Sequence, residues 1–315
     1  ATTANSRVFR TPGALILSRE GVLGESAIMN HFVRNASALV ALIAVLLTSG
    51  AMAEKKKIVF LADGGKNSKT HNHVEGNAVL AAALEASGLG FVTSQYKGWP
   101  KEAGAFDGAD CIVIFCNGGG GHLVMKNLER FEELVDSGVG LVCLHYGVEV
   151  PKGKAGDIML KGMGGYFETH WSVNPHWVAT IEKLPEHPIT RGCTPFVQND
   201  EWYYHMRFAP EMKGVTPILS AHPPKATMNR PDGPHSNNPH VRKSMAAGEI
   251  QHIGWAYERP GGKGRGFGTT GGHYHETWDS DNWRTLVLNA ITWTSGVEVP
   301  ETGVPSAKNP VSQAN

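Results

Sequence analysis

Cysteine is scarce, with four in 315 residues, and that number in a chain this long makes no disulfide framework. Net charge is missing as well, since 29 Lys and Arg stand against 29 Asp and Glu. A balanced chain has no field with which to hold a polyanion or an anionic bilayer, so nucleic acid and membrane are excluded as expected partners of the mature chain. Charged residues are few, at 18% against 8% aromatics, as in a packed globular protein and unlike a disordered one. No apolar run reaches the roughly 20 residues a membrane-spanning helix needs. The sequence has no G-x-S-x-G elbow, no H-E-x-x-H pair and no C-x-x-C pair, which removes the usual serine-hydrolase elbow and the simplest metal motifs. Two residue types are abundant instead: 38 Gly and 15 His.

The segment from Met29 has the layout of a secretory signal peptide. Arg34 lies in a short start, an apolar stretch spans 36–47, and Ala51 and Ala53 precede the lysines. A buried N-terminal helix is the plainer alternative. The chain is therefore expected to divide into an upstream extension, 1–28, a signal peptide, 29–53, one α/β domain, 54–298, and a disordered tail, 299–315, with export to a periplasm or beyond.

Within that domain, short apolar runs without alternation at 57–63, 91–97, 111–117 and 140–146 read as strands of a parallel sheet buried on both faces. Between them lie helical patterns at 75–87 and from Val124 through Leu128, Phe131 and Val135 to Gly138. Further strands are expected at 177–181, 215–220, 250–257 and 264–270, a long loop at 223–240 and a closing helix at 280–295. Strands alternating with helices make βαβ units, hence a three-layer α/β/α domain with a mainly parallel central sheet.

Ligands of such sheets bind beyond the carboxyl ends of the strands. The loops there carry His71, His73 and Glu75; Asn117, Gly118 and His122; His145; and His273 and His275. Imidazoles with a carboxylate such as Glu201 suit a borderline divalent metal, zinc or manganese. His73, His145 and His273 are the expected ligands, and His145, Glu201 and His273 the expected catalytic groups. Asn117, Gly118, His170, Trp171, Trp202, His275 and Trp278 join His73 as candidate substrate contacts, the tryptophans as sugar platforms. For each the plainer alternative is structural: His145 as a satisfied core histidine, the glycines 118–121 as a tight turn, Cys143 as an inert strand thiol. The glycine run lacks the Lys-Ser/Thr of a phosphate loop and the spacing of a dinucleotide fingerprint, so no nucleotide is expected. Gly271 and Gly272, ahead of His273, are expected to let a ligand approach the backbone closely.

Taken in order, HNHVEG, GVGLVCLHYG, HPITRG (187–192), DEWYY (200–204) and GKGRGFGTTGGHYHETWDSDNWRTLVLNAITW (262–293) resemble the trehalose-utilisation (ThuA-like) family over about 57–296. The resemblance implies the fold of the class I glutamine amidotransferases and a role in the catabolism of a disaccharide or keto-sugar. Those amidotransferases bear a nucleophilic Cys at the elbow after this strand, whereas His145 stands near it here and Cys143 lies inside the strand. Glutaminase chemistry is thus not expected, and 223–240 is an insertion relative to the family pattern. The resulting expectation is a hydrolase or isomerase acting on a small carbohydrate at a His-rich pocket. The alternative is a non-catalytic carbohydrate-binding or scaffolding protein that lost the nucleophile.

Overall fold

The absence of alternation in KKIVFLA is explained by burial on both sides. In β1 (Lys56–Ala62), Ile58 and Phe60 enter one core while Val59 and Leu61 enter another. The computed structural model describes residues 55–64 and 69–306; the expected extension and signal peptide lie outside them. After β1 come α1 (His73–Ala86), β2 (Phe91–Lys97), β3 (Ala109–Phe115), α2 (Leu128–Asp136), β4 (Gly140–Leu144) and α3 (Lys154–Met163). The second half contributes β5 (Gly165–Tyr166), β6 (Trp177–Ile181), β7 (Phe196–Asp200), β8 (Arg207–Phe208), β9 (Val215–Ala221), α4 (Pro239–Ala246), β10 (Gln251–Glu258), β11 (Arg265–Thr269) and α5 (Asp281–Thr294).

Seven strands form the central sheet in the order β2-β1-β3-β4-β11-β10-β9. The pairs from β2 through to β11 are parallel, and only β10 runs against its neighbours. Leu80 and Leu84 of α1 and Leu286 to Ile291 of α5 share the core of Phe60, Val113 and Val142. Phe131 of α2 and Ile158 of α3 pack with Leu61, Ile114 and Cys143 on the opposite face. This is the mainly parallel, three-layer α/β architecture expected from the strand pattern. Because β2 lies on one side of β1 and β3 on the other, the loops leaving β1 and β3 diverge and open a crevice.

Several elements differ from expectation for physical reasons. The helix expected through Val124 is broken at Asn127 (φ −137°), so Val124 belongs to a separate turn, Leu123–Lys126. The helix α3 is hidden in the sequence by its glycines, which lower helix propensity; a Cβ on Gly156 would lie 2.6 Å from the Tyr166 ring, so Gly permits the close packing. The strand expected at 140–146 stops at Leu144. The loop expected at 223–240 contains the turn Lys225–Met228 and runs into α4, whose first residues are Pro239 and His240. The tail expected to be disordered from 299 is packed as far as Ser306: Val299 and Val304 are buried, and the Val304 N–H donates to Asn289 Oδ1 at 2.7 Å. Among the described residues no helix is long and apolar enough to cross a membrane.

Asn289, fully buried, also donates from Nδ2 to the carbonyls of Ile189 (3.0 Å) and Arg191 (2.8 Å). Asn289→Ala leaves three backbone groups without this partner, so a loss of about 2–4 kcal/mol is expected in urea denaturation, with faster proteolysis near 299–306. Unchanged stability and cleavage would contradict this anchoring role.

Candidate functional site

His71 and His73 are two residues apart, and the backbone sends them to different places. At His71 a left-handed φ of 52° accompanies an imidazole lodged in the crevice. His73 is the first residue of α1 and is fully buried, with Nδ1 2.5 Å from Asp63 Oδ1. At the end of β4 the turn His145–Val148 begins with His145 at φ 49°. Conformations of this kind cost a non-glycine residue about 1–3 kcal/mol and cluster at functional sites.

The other two members are delivered by a buried carboxylate. Asp200, at the end of β7, accepts the N–H groups of Glu201 (2.8 Å), Gly272 (2.8 Å) and His273 (3.0 Å). It thereby ties the end of β7 to the loop after β11 and turns Glu201 and His273 toward each other. Burial raises the Asp200 carboxyl above its usual range, against the opposing pull of His145 and of the three N–H donors.

The donor atoms of four residues converge. His273 Nδ1 lies 2.9 Å from His71 Nε2, 3.0 Å from Glu201 Oε2 and 3.3 Å from His145 Nε2, and the last two atoms are 3.5 Å apart. One ligand atom from each of the four falls within 4.8 Å of all the others. Metal–nitrogen bonds of about 2.0–2.1 Å place neighbouring donors about 3.0–3.4 Å apart, so these are spacings of a coordination shell.

The hydrogen bonds behind the donors set their protonation. His145 Nδ1 lies 2.9 Å from the Thr270 carbonyl, which only accepts, so Nδ1 carries the proton and Nε2 keeps its lone pair. The Asn117 amide nitrogen donates to Asp63, which directs Asn117 Oδ1 to His71 Nδ1 at 3.3 Å and leaves His71 Nε2 as the acceptor. Burial, then the neighbouring His145, lowers the His71 pKa to about 4. Burial opposes ionisation of Glu201, but the neighbouring imidazoles of His145 and His273 outweigh it and hold the carboxyl well below the usual range. At neutral pH His71 is an uncharged donor and Glu201 a carboxylate. Tyr203 Oη, buried, lies 3.2 Å from His145 Nε2 and 3.4 Å from Glu201 Oε2. On the exposed rim His176 Nε2 faces Glu201 Oε1 at 3.8 Å, and Tyr274 Oη meets His176 Nδ1 at 3.1 Å.

The structure thus gathers His145, Glu201 and His273, with Asn117 directly behind His71. In the expected metal set His73 gives way to His71, because His73 Nδ1 is engaged by Asp63 and its ring packs on Phe115. Trp202 and Trp278 are not sugar platforms: both are buried in the aromatic packing around Trp283. Trp171 is sandwiched by the Arg207 guanidinium, 3.5 Å from the ring centre, and the stacked ring of His240. His170 is exposed where the 223–240 segment docks, its N–H donating to the Pro234 carbonyl at 2.7 Å. His275 lies outside the four-residue cluster and opens the turn His275–Asp279. Gly118 serves protein packing, since a Cβ there would lie 2.4 Å from the Tyr146 carbonyl oxygen. Gly271 likewise makes room for the protein and not for a ligand, since a Cβ there would lie 2.4 Å from the Trp202 ring. Asp63, Asp200, Tyr203 and His176 belong to the site without standing among the sequence candidates; Asp200 and Tyr203 flank Glu201 in DEWYY, and that neighbourhood is the signal that points to them. Cys143 is fully buried within β4, and burial pushes its thiol well above the usual range, which leaves no cysteine nucleophile at the elbow.

The trehalose-utilisation (ThuA) family profile matches residues 60–294. The chain belongs to the ThuA family. The crystal structure of a ThuA-like protein from Bacteroides uniformis is similar at 19% identity and a TM-score of 0.54, over 78% of this chain and 94% of that one. A ThuA-like protein from Parabacteroides merdae gives 18% identity and a TM-score of 0.49, over 81% and 99%. The first likeness supports the fold. No curated protein sequence matches this ThuA chain.

Acid stability follows from the buried histidines. His122 is buried against the Gly147 carbonyl, and burial lowers its pKa from 6.5 to about 4, as for His71. Both bind a proton more readily when unfolded, so they favour unfolding progressively as pH falls from about 6.5 to about 4. In urea denaturation at several pH values, stability should fall across that window. His122→Asn, which preserves an acceptor for the Val124 N–H, should reduce the slope. An unchanged slope in the variant would contradict the assignment.

Proposed function

We propose that this ThuA protein is an exported enzyme of carbohydrate catabolism. In this reading His71, His145, His273 and Glu201 hold a borderline divalent ion, zinc or manganese, and the substrate is a disaccharide or keto-sugar. The observation that carries the reading is the convergence of three imidazole nitrogens and one carboxylate oxygen at coordination spacings, with the protons of His71 and His145 directed to the far side of their rings. Such an ion, when bound, polarises a carbonyl or activates water, which serves hydrolysis or isomerisation beside a keto group.

The chain's own groups do the rest. Tyr203, kept un-ionised by burial and by nearby Glu201, orients the Glu201 carboxylate. His176, whose pKa burial lowers, is mostly uncharged at neutral pH and stands at the mouth, where its Nε2 can take a substrate proton. The family's sugar role supports the substrate class. Export is supported by the apolar run 36–47 and by Ala51 and Ala53.

Protein from Glu54 onward, purified without a histidine tag or chelator, should carry about one equivalent of metal by elemental analysis. His145→Ala with His273→Ala should abolish it together with turnover on a panel of disaccharides and keto-sugars. Metal-free wild-type protein that takes up neither zinc nor manganese would refute the metal centre. A metal-loaded protein inactive across the panel would favour the carbohydrate-binding reading.

A further inference from the structure

We infer that the cavity beside His176 is a recognition subsite for a sugar bearing one carboxylate group, with Arg230 as its counter-ion. The inference deepens the proposed function and rests on the cluster being the reaction centre. The cavity measures ≈ 460 Å³, within the roughly 300–1,000 Å³ of small-ligand sites. One wall is the segment entering β6, with Asn174, Pro175 and Trp177; the facing wall is the 223–240 segment, with Pro224 and Arg230. His176 stands between cavity and cluster. It lines the former, its Nε2 is 3.8 Å from Glu201 Oε1, and its ring centre is 4.9 Å from that of His273. A ligand seated in the cavity therefore reaches the cluster across His176.

The chemistry of the walls selects the ligand. Among the described residues no carboxylate lines the cavity, and Arg230 is its one permanent charge. Arg230 Nη2 donates to Asn174 Oδ1 at 3.2 Å and to the His235 carbonyl at 2.8 Å, which fixes the guanidinium. Its Nη1 and Nε make no hydrogen bond among the described residues, which leaves them for a ligand. One guanidinium balances a monoanion. A phosphate dianion would bring a second, uncompensated charge toward the Glu201 carboxylate, so a carboxylate is the better match. Pro175, Trp177 and Pro224 provide apolar surface for the C–H face of a pyranose ring.

The test is calorimetric titration of zinc-loaded protein with glucuronate and with glucose at low salt, alongside zinc content. Wild type should bind glucuronate about tenfold more tightly than glucose, the contribution of one charge-assisted hydrogen bond, and the preference should weaken with added salt. Arg230→Ala should erase the preference with zinc content unchanged. Arg230→Lys, which keeps the charge, should retain most of it. His145→Ala, which loses the ion, should still prefer glucuronate, so a failed metal centre and a failed subsite give different results. Equal binding of the two sugars by wild type, a preference that survives Arg230→Ala, or equal losses in the Ala and Lys variants would overturn the inference. The last pattern would mean that Arg230 only anchors the 223–240 segment.

Discussion

The candidate site depends on one buried carboxylate. Asp200 gathers the N–H groups of Glu201, Gly272 and His273 and so joins the end of β7, which belongs to a small two-stranded sheet with β6, to the loop leaving the central sheet at β11. Hydrogen bonds to a charged acceptor contribute about 1.5–3 kcal/mol each, and the three of them offset part of the desolvation cost of the buried carboxyl, whose pKa burial still raises. That junction, with the Thr270 hydroxyl donating to the Tyr203 carbonyl at 3.0 Å, holds Glu201 and His273, on separate elements, within 3.0 Å of each other.

The rest of the geometry follows from the sheet. The divergence of the chain between β1 and β3 opens the crevice, β4 places His145 on its floor, and left-handed backbone at His71 and His145 aims both rings inward. Each strained conformation is held by a hydrogen bond that the far side of the ring donates, to Asn117 Oδ1 for His71 and to the Thr270 carbonyl for His145. The same bonds leave the facing nitrogens as lone-pair donors. Strain, tautomer and donor direction are thus consequences of one arrangement. The 223–240 segment completes the surroundings: His235 Nε2 meets the buried Glu149 Oε1 at 2.9 Å and its ring stacks on Phe167, which fixes that wall beside the site.

Much of the fold is legible in the sequence because strands buried on both faces leave unbroken apolar runs, as 111–115 does, and because the closing helix carries a clear stripe from Trp283 to Ile291. The two helices that escape such a reading, α3 and α4, are short, and α3 contains glycines whose purpose is tight packing against Tyr166 and Leu141. His145 and His273 are legible as polar residues at strand ends; Glu201 is legible only as a carboxylate in DEWYY, because the short strand β7 before it escapes the pattern. The choice between His71 and His73 is not, since a backbone φ decides it and either imidazole suits a metal. Nor is the fate of the tryptophans: an indole near a candidate site residue reads as a sugar platform, yet Trp202, next to Glu201, fills the space above Gly271, where even a methyl group would clash.

The central claim is that His71, His145, His273 and Glu201 form one metal centre. X-ray absorption at the zinc edge of the zinc-loaded protein tests it most directly. Three imidazole nitrogens and at least one further oxygen at about 2.0–2.2 Å, with one imidazole lost in His71→Ala and none in His73→Ala, is the result this account predicts. A shell containing sulfur, or one that loses an imidazole in His73→Ala and not in His71→Ala, would contradict it.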